Sequence, residues 1–434
     1  MAVGQANCSV AEPHQIKYLP IFCRTDDDNA SATKLILQLR PDWREDGVKF
    51  VRFTDGITNT LMKATRNNDP NPDTDAILLR AYGNGTDLII DRNRETQNHE
   101  LLARHGLAPE LLARFENGML YRYVPGTVTA PADLREESIY RAVAGRLAEW
   151  HATVPCLPGK TGHSRRSSRA DGQGIAIPTD EREYQRAVDG IAPGKPTPNV
   201  WTVMQKWIFA LPTDTEKQRI RQAELQKELK WVVSEFSNRD GLGKNGLVFA
   251  HCDLLSGNVI VLPSSSSSTN GTESTSNGTN GVKGTVPAGP EVTFIDYEYA
   301  TPSPAAFDIA NHFAEWGGFD CDFSVLPTRA QRRDFIREYI KQYFSYKHAS
   351  SDVDIESETE KLFVEVDLFR GLPGLYWGIW ALIQATISQI DFNYAEYAEI
   401  RLGEYFAWKA EADGSREKSG KDMPLRERRW AQEE

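Results

Sequence analysis

The apolar positions of the chain change period near Tyr123. Before it, Lys49–Thr54, Leu61–Thr65 and Ala76–Tyr82 are short apolar runs bounded by turn residues such as Asn67-Asn-Asp-Pro-Asn-Pro-Asp73, which predicts strands. Asp87–Asp91 reads as a further strand, Phe115–Asn117 to Tyr123 as a hairpin, and Lys34–Leu39 and Arg94–His105 as helices. After Tyr123-Val-Pro-Gly126, read as a hinge, the pattern turns helical over Glu136–His151 and the charged stretch Thr215–Asn238. Gly371–Ile390 is the most apolar long stretch. It contains Gln384, Ser388 and Gln389 and is short for a membrane span, so it predicts a buried helix. The expectation is an α+β chain with a strand-rich part over 1–124, loosely packed up to about Asp28, and a mostly helical part over 125–434.

Two segments break the pattern. Pro158–Pro198, rich in Gly, Pro, Arg and Ser, reads as a mobile loop with some helix inside. Residues 264–290 are serine, threonine, asparagine and glycine with almost no apolar side chains, too little to order the segment by burial. The segment separates the apolar runs Val259–Leu262 and Val292–Ile295 and so reads as an expanded hairpin tip; loop-closure cost grows only logarithmically with length. The net charge of −11 argues against a general nucleic-acid binder. Cys8, Cys23, Cys156, Cys252 and Cys321 are scattered without C-x-x-C spacing, which points to a reducing compartment and no structural zinc. The N-terminus has no basic start followed by an apolar run, so a cytoplasmic protein without a signal peptide or stable membrane span is expected.

The candidate chemistry lies at His251-Cys-Asp253-Leu-Leu-Ser-Gly-Asn258, followed by Phe294-Ile-Asp296. An Asp and an Asn five positions later sit on a loop feeding an apolar strand, and a second Asp closes the next strand. Protein kinases use this layout: one carboxylate receives the substrate hydroxyl, while an amide oxygen and a second carboxylate hold Mg²⁺ against ATP phosphates. Asp253 is the expected base or hydroxyl-orienting group, His251 its neighbour in the loop and its brace, and Asn258 and Asp296 the expected metal ligands. Gly56 lies in a strand turn where backbone can approach phosphates, with Thr58 and Asn59 as hydrogen-bond donors. Arg80 stands on the third strand, where its guanidinium can bridge phosphates and an acid on the next helix, Glu95 first and Glu100 second. Pro304 can begin a helix capped by Ser303; on it Asp308, Asn311, His312 and Glu315 share one face.

The surrounding residues narrow the reading. Phe294-Ile-Asp-Tyr-Glu-Tyr299, Phe307-Asp-Ile-Ala-Asn-His-Phe-Ala-Glu-Trp316, Phe53-Thr-Asp-Gly-Ile-Thr-Asn59, Leu79-Arg-Ala-Tyr-Gly83 and Trp377-Gly-Ile-Trp380 resemble the choline/ethanolamine kinases, over about 50 to 408. The resemblance implies a protein-kinase-like fold of two lobes and phosphorylation of a small amino alcohol with ATP and Mg²⁺. It implies that Asp308 braces the catalytic loop and that Glu315 meets the substrate ammonium. Trp377 and Trp380, three apart on an apolar helix, would by themselves be core; the resemblance makes them walls of an amine pocket, with Tyr299 and Tyr397 as further candidates. Cys252 departs from the family, which usually has Asn there. Leu254-Leu255 looks like the ethanolamine branch, since the choline branch usually has Gln at the position of Leu255. The implied reaction is ethanolamine to phosphoethanolamine, the first step of phosphatidylethanolamine synthesis. A choline kinase and an inactive kinase-like scaffold are the alternatives, and a homodimer stays open.

Overall fold

The computed structural model describes residues 16–24, 27, 29–53, 59–83, 85–156, 180–263, 289–348 and 353–434. Gly56, Thr58 and nearly all of the 264–290 segment lie outside them. The chain divides into two compact units, Met1–Asn84 with Pro109–Val124, and Gly85–Ala108 with Pro125–Glu434.

Among the described residues, the first unit is one six-stranded sheet and a helix. Its elements are β1 (Lys17–Leu19), α1 (Ala30–Leu39), β2 (Val48–Phe53), β3 (Asn59–Arg66), β4 (Ile77–Tyr82), β5 (Leu111–Phe115) and β6 (Gly118–Arg122). The sheet order is β1-β5-β6-β4-β3-β2, antiparallel except for β1 on β5. Ile77, Leu79 and Ala81 of β4 point into a core with Leu35 and Ile36 of α1 and Met62 and Ala64 of β3. Strand alternation sends Arg80 to the opposite face, between Leu61 and Met119 in register. Asn59 opens β3 opposite Tyr82. All three strands expected before Tyr82 form, as does the hairpin closing on Arg122.

The second unit holds α2 (Arg92–Arg104), β7 (Thr127–Val128), α3 (Glu137–Thr153), α4 (Glu181–Asp189), α5 (Val200–Ala210), α6 (Glu216–Phe236) and β8 (Val248–Ala250). Then come β9 (Val259–Val261), β10 (Val292–Phe294), β11 (Thr301–Ser303), α7 (Ala305–Ala314), α8 (Arg329–Tyr346), α9 (Ile355–Phe369), α10 (Leu372–Ile387), α11 (Tyr394–Ala412), α12 (Ser415–Lys418) and α13 (Leu425–Trp430). Strands β10, β9 and β7 form one small sheet, β11 and β8 another. Val292 pairs with Val261 and Phe294 with Val259, antiparallel, so the low-complexity segment does interrupt a hairpin.

Three local expectations fail. The stretch before Asp28 is not loosely packed over residues 16–24, where β1 pairs with β5 and Leu19 and Cys23 are buried in the sheet's core. Asp87–Asp91 is not a strand: Gly85, at φ +73°, opens a 3₁₀ turn over Thr86–Leu88, and Asp91 caps α2 by accepting the amide hydrogen of Arg94. Two helical starts that close together leave no extended length, and the apolar run reflects only the burial of Ile89 and Ile90. Ser303 does not cap α7 either. It ends β11 opposite Val248, and Pro304 takes the cap position without a side-chain bond.

Helices α10 and α11 frame the site. Gly374 and Gly378, four apart on α10, face α11 so closely that a Cβ would lie 2.5 Å from the Arg401 carbonyl oxygen or 2.6 Å from Leu402 Cγ. Small residues at this spacing let the backbone of α11 at Arg401 lie directly on the helix that carries Trp377 and Trp380. No described helix is long and apolar enough to cross a membrane.

Candidate active site

The loop from β8 to β9 is clamped from behind by α7. Asp308 Oδ2 accepts the amide hydrogen of His251 at 2.9 Å, and Oδ1 that of Cys252 at 2.7 Å. Asn311 Nδ2 donates to the Cys252 carbonyl at 3.0 Å, and His312 Nδ1 donates to that of Leu254 at 2.8 Å. Three members of the polar stripe foreseen on α7, Asp308, Asn311 and His312, are therefore backbone ligands, all of them buried. Asp308 also takes His151 Nε2 at 3.0 Å, and His151 Nδ1 meets the Tyr339 hydroxyl at 2.8 Å. Burial opposes its ionisation, but the His151 hydrogen bond and the amide donors outweigh it and hold the carboxyl below its ordinary value.

His251 ties this loop to β10. Its Nε2 lies 3.0 Å from the Ile295 carbonyl, which can only accept, so that nitrogen carries the proton. Nδ1 is buried and makes no hydrogen bond among the described residues, and the ring lies 5.4 Å from Trp150. Burial pushes the imidazole down to about 4, so it is neutral and built to brace. Cys252 sits at φ +62°, a conformation that Asn adopts more readily than other side chains. Burial raises its thiol well above the ordinary value, which removes any nucleophilic role for it.

Asp253 stands in the middle of this frame, buried. Asn258 Nδ2 donates to its carbonyl at 2.8 Å and to its Oδ2 at 3.1 Å. Desolvation raises the Asp253 carboxyl well above the ordinary range, and the negative charges of Asp296, Glu315 and Glu298 push it further up. Asp296 follows β10 at φ +65°, placed by the Ile295 amide donating to the Asn258 carbonyl at 3.0 Å. Because the amide nitrogen of Asn258 is spent on Asp253, its Oδ1 is the atom left to accept. No group of three His, Cys, Asp or Glu among the described residues forms a metal cluster. One amide oxygen and one carboxylate amid repelling acids nonetheless suit Mg²⁺, which takes few protein oxygens and completes its shell with water and phosphate.

Tyr299 links this cluster to the Trp pair. Its hydroxyl accepts the Trp380 indole hydrogen at 2.9 Å, and its ring lies edge-on to Trp377 at 5.7 Å. Trp377 donates to Asn311 Oδ1 at 2.8 Å, and the two indoles meet at 89° with centroids 5.4 Å apart. Tyr397 packs instead against Phe319 and Phe392, with the Arg401 guanidinium 5.8 Å from its ring. Glu315 continues α7 in a 3₁₀ turn and accepts from Arg401 Nη2 through Oε1 at 3.3 Å. Burial raises its carboxyl, and Arg401 offsets part of that.

The nucleotide candidates fall in different units. Asn59 and Arg80 belong to the first and Glu95 to the second. Glu95 is buried and takes Arg92 Nη1 at 3.0 Å; Arg92 also reaches Glu298 at 3.3 Å. Glu100, the second choice, pairs with Arg104 at 2.6 Å. His151 and Arg401 were not foreseen. The usable signal for Arg401 was its spacing on α11, four after Tyr397 and three before Glu404.

Residues 50–406 match the family model described as choline/ethanolamine kinase. The chain is 32% identical over 390 residues to ethanolamine kinase 1 of Mus musculus, covering 88% of this chain and 89% of that protein. It is 30% identical to the ethanolamine kinase of Drosophila melanogaster, with 91% and 80% covered. Among solved structures, an ethanolamine kinase of Plasmodium vivax superposes with a TM-score of 0.61 at 22% identity, covering 86% of each chain. A choline kinase of Cryptosporidium parvum gives 0.60 at 18%, covering 89% of this chain and 97% of that one.

Proposed function

The chain belongs to the choline/ethanolamine kinase family, and from that membership we propose that it moves the terminal phosphoryl group of ATP to the hydroxyl of ethanolamine, giving phosphoethanolamine and ADP. The observation that carries this reading is Asp253, a buried carboxylate fixed by Asn258 on a loop whose amides are held by Asp308. Phosphoryl transfer passes through a loose transition state, so a protein contributes mainly positioning and charge. Asp253 accepts the hydrogen bond of the attacking hydroxyl, aims its oxygen, and takes its proton as the bond to phosphorus forms. Asn258, through Oδ1, and Asp296, through its carboxylate, hold the cation. Mg²⁺, when bound, neutralises charge on the phosphates.

On the first unit, Arg80 and Asn59 are assigned to the phosphates of the nucleotide. Gly56 and Thr58 share that assignment from the sequence. Glu95, assigned from the sequence as the acid partner of Arg80, takes Arg92 on α2. On the second unit, Trp377, Trp380 and Tyr299 form the wall that attracts a cation, with Tyr397, packed on Phe319 and Phe392, as the further candidate. Glu315 supplies the carboxylate. An ammonium bearing N–H groups engages that carboxylate by charge-assisted hydrogen bonds, whereas a quaternary head cannot, which favours ethanolamine over choline. We place the protein in the cytoplasm, where its four described cysteines, all unpaired, remain reduced.

The test is ADP release with MgATP and ethanolamine, the product being identified by mass. Asp253→Asn is expected to lower turnover by about 10²–10⁴-fold with ATP affinity kept, and Asp296→Asn to raise the Mg²⁺ requirement. Normal turnover in Asp253→Asn at saturating ethanolamine contradicts the assignment.

A further inference from the structure

Glu315 is one end of a buried chain of charges that leads away from the site. Beyond its 3.3 Å contact with Glu315, Arg401 faces Glu404 Oε1 through Nε at 3.5 Å. Glu404 Oε2 faces Arg426 Nε at 3.3 Å, Arg426 Nη1 holds Glu427 Oε1 at 2.9 Å, and Glu427 Oε2 holds Arg370 at 2.9 Å. Signs alternate along all six residues. Arg401, Glu404, Arg426 and Glu427 are each 5% exposed or less. The chain crosses from the turn after α7, through α11, to α13 near the C-terminus and back to Arg370 at the end of α9.

As a fastening, this is a poor design. Buried ion pairs cost much of their attraction in desolvation, and apolar replacements of similar volume often hold helices as well or better. Arg401 Nε, Glu404 Oε1 and Arg426 Nε are buried and make no properly directed hydrogen bond. The arrangement does serve Glu315. Arg401 holds Oε1, while Oε2 makes no hydrogen bond among the described residues. Taken alone, the Arg401 charge would cancel the one that draws an ammonium to Glu315. Glu404, directly behind, takes back part of that field, and Arg426 keeps Glu404 from swinging wholly onto Arg401. Gly374 lets the backbone at Arg401 rest on α10, so the ion chain and the Trp wall share one frame.

We propose that Arg401, Glu404 and Arg426 are positioning residues of the amine site, an alternating buried ion chain through which the C-terminal helix α13 sets how Glu315 meets a cationic head group. This rests on the reading of Glu315 as the acceptor of the substrate ammonium.

The test is steady-state kinetics on the full chain with MgATP and ethanolamine. Glu404→Gln keeps shape and removes the charge behind Arg401; the ethanolamine KM is expected to rise about tenfold while kcat and the ATP KM stay within about twofold. In a Glu315→Gln background the same change is expected to leave the ethanolamine KM where it is, because no carboxylate remains to be positioned. Arg426→Gln, which releases Glu404 to draw the Arg401 charge off Glu315, is expected to lower the ethanolamine KM, and Arg426→Lys, which keeps the charge, to stay close to the wild type; this pair decides the matter if Glu404→Gln does not fold. A folded Glu404→Gln with an unchanged ethanolamine KM overturns the proposal, as does an equal rise in the Glu315→Gln background. A wild-type chain that does not phosphorylate ethanolamine overturns the functional reading instead.

Discussion

The carboxylate of Asp308 receives the amide hydrogen of Cys252 at 2.7 Å while its other oxygen serves His251 and His151. A helix side chain thus holds the backbone on which Asp253 is mounted. Asp308→Asn keeps the shape but turns one acceptor into a donor that faces other donors. The expected loss is about 2–4 kcal/mol of stability, the range for a buried charged hydrogen-bond partner, with a fall in kcat larger than any change in ATP KM. A urea melt and a turnover assay check both; wild-type stability would mean that the loop is held by other contacts.

Cys252 gives a prediction of the opposite sign. It occupies φ +62°, and its thiol lies close to Ser303 and to the backbone of Thr301 on β11, where the hydroxyls of both residues are buried. Asn tolerates that backbone conformation better than Cys and brings donors and an acceptor toward both hydroxyls. Cys252→Asn is therefore expected to stabilise the protein by about 1 kcal/mol, of the order of the left-handed penalty it relieves, with activity retained. Differential scanning calorimetry reads this as a higher Tm, and a lower Tm counts against it.

The buried imidazoles make stability depend on pH. His251 and His312 are both pushed down to about 4 by burial, against about 6.5 in an unfolded chain. Between those values the unfolded state binds more protons than the folded one, so stability rises with pH across the window and falls as pH drops from 6.5 toward 4. The urea midpoint is expected to decline steadily from pH 7 to pH 5, and His312→Gln to flatten that slope. An identical midpoint at both pH values would show that neither imidazole is held neutral.

The loop that carries Asp253 was legible in the sequence because its pattern is local. Asp253, Asn258 and Asp296 lie on short connections between strands consecutive in the chain, where spacing alone limits what they can reach. The stripe of Asp308, Asn311, His312 and Glu315 was also readable, since helical periodicity puts them on one face. Asp308 as a loop brace came from the family resemblance, and the structure bears it out. Spacing alone did not tell that Asn311 and His312 hold the carbonyls of Cys252 and Leu254. Arg401 was opaque for a different reason. It lies among the charged residues Glu396, Glu399, Glu404 and Lys409 of α11, and its burial comes from packing against segments distant in sequence, α10 at Gly374 and Gly378 among them. Asp87–Asp91 misled because a short buried apolar run carries no period of its own.

The central claim is that this site phosphorylates ethanolamine and selects it through Glu315. The most direct measurement is the ratio of kcat/KM for ethanolamine to that for choline, with MgATP, in the wild type and in Glu315→Gln. The wild-type ratio is expected to favour ethanolamine. The substitution is expected to shrink the ratio about tenfold for each 1.4 kcal/mol of acceptor strength that only an N–H-bearing head can use. Equal efficiency on the two amines in the wild type, with Glu315→Gln lowering both alike, would contradict the account.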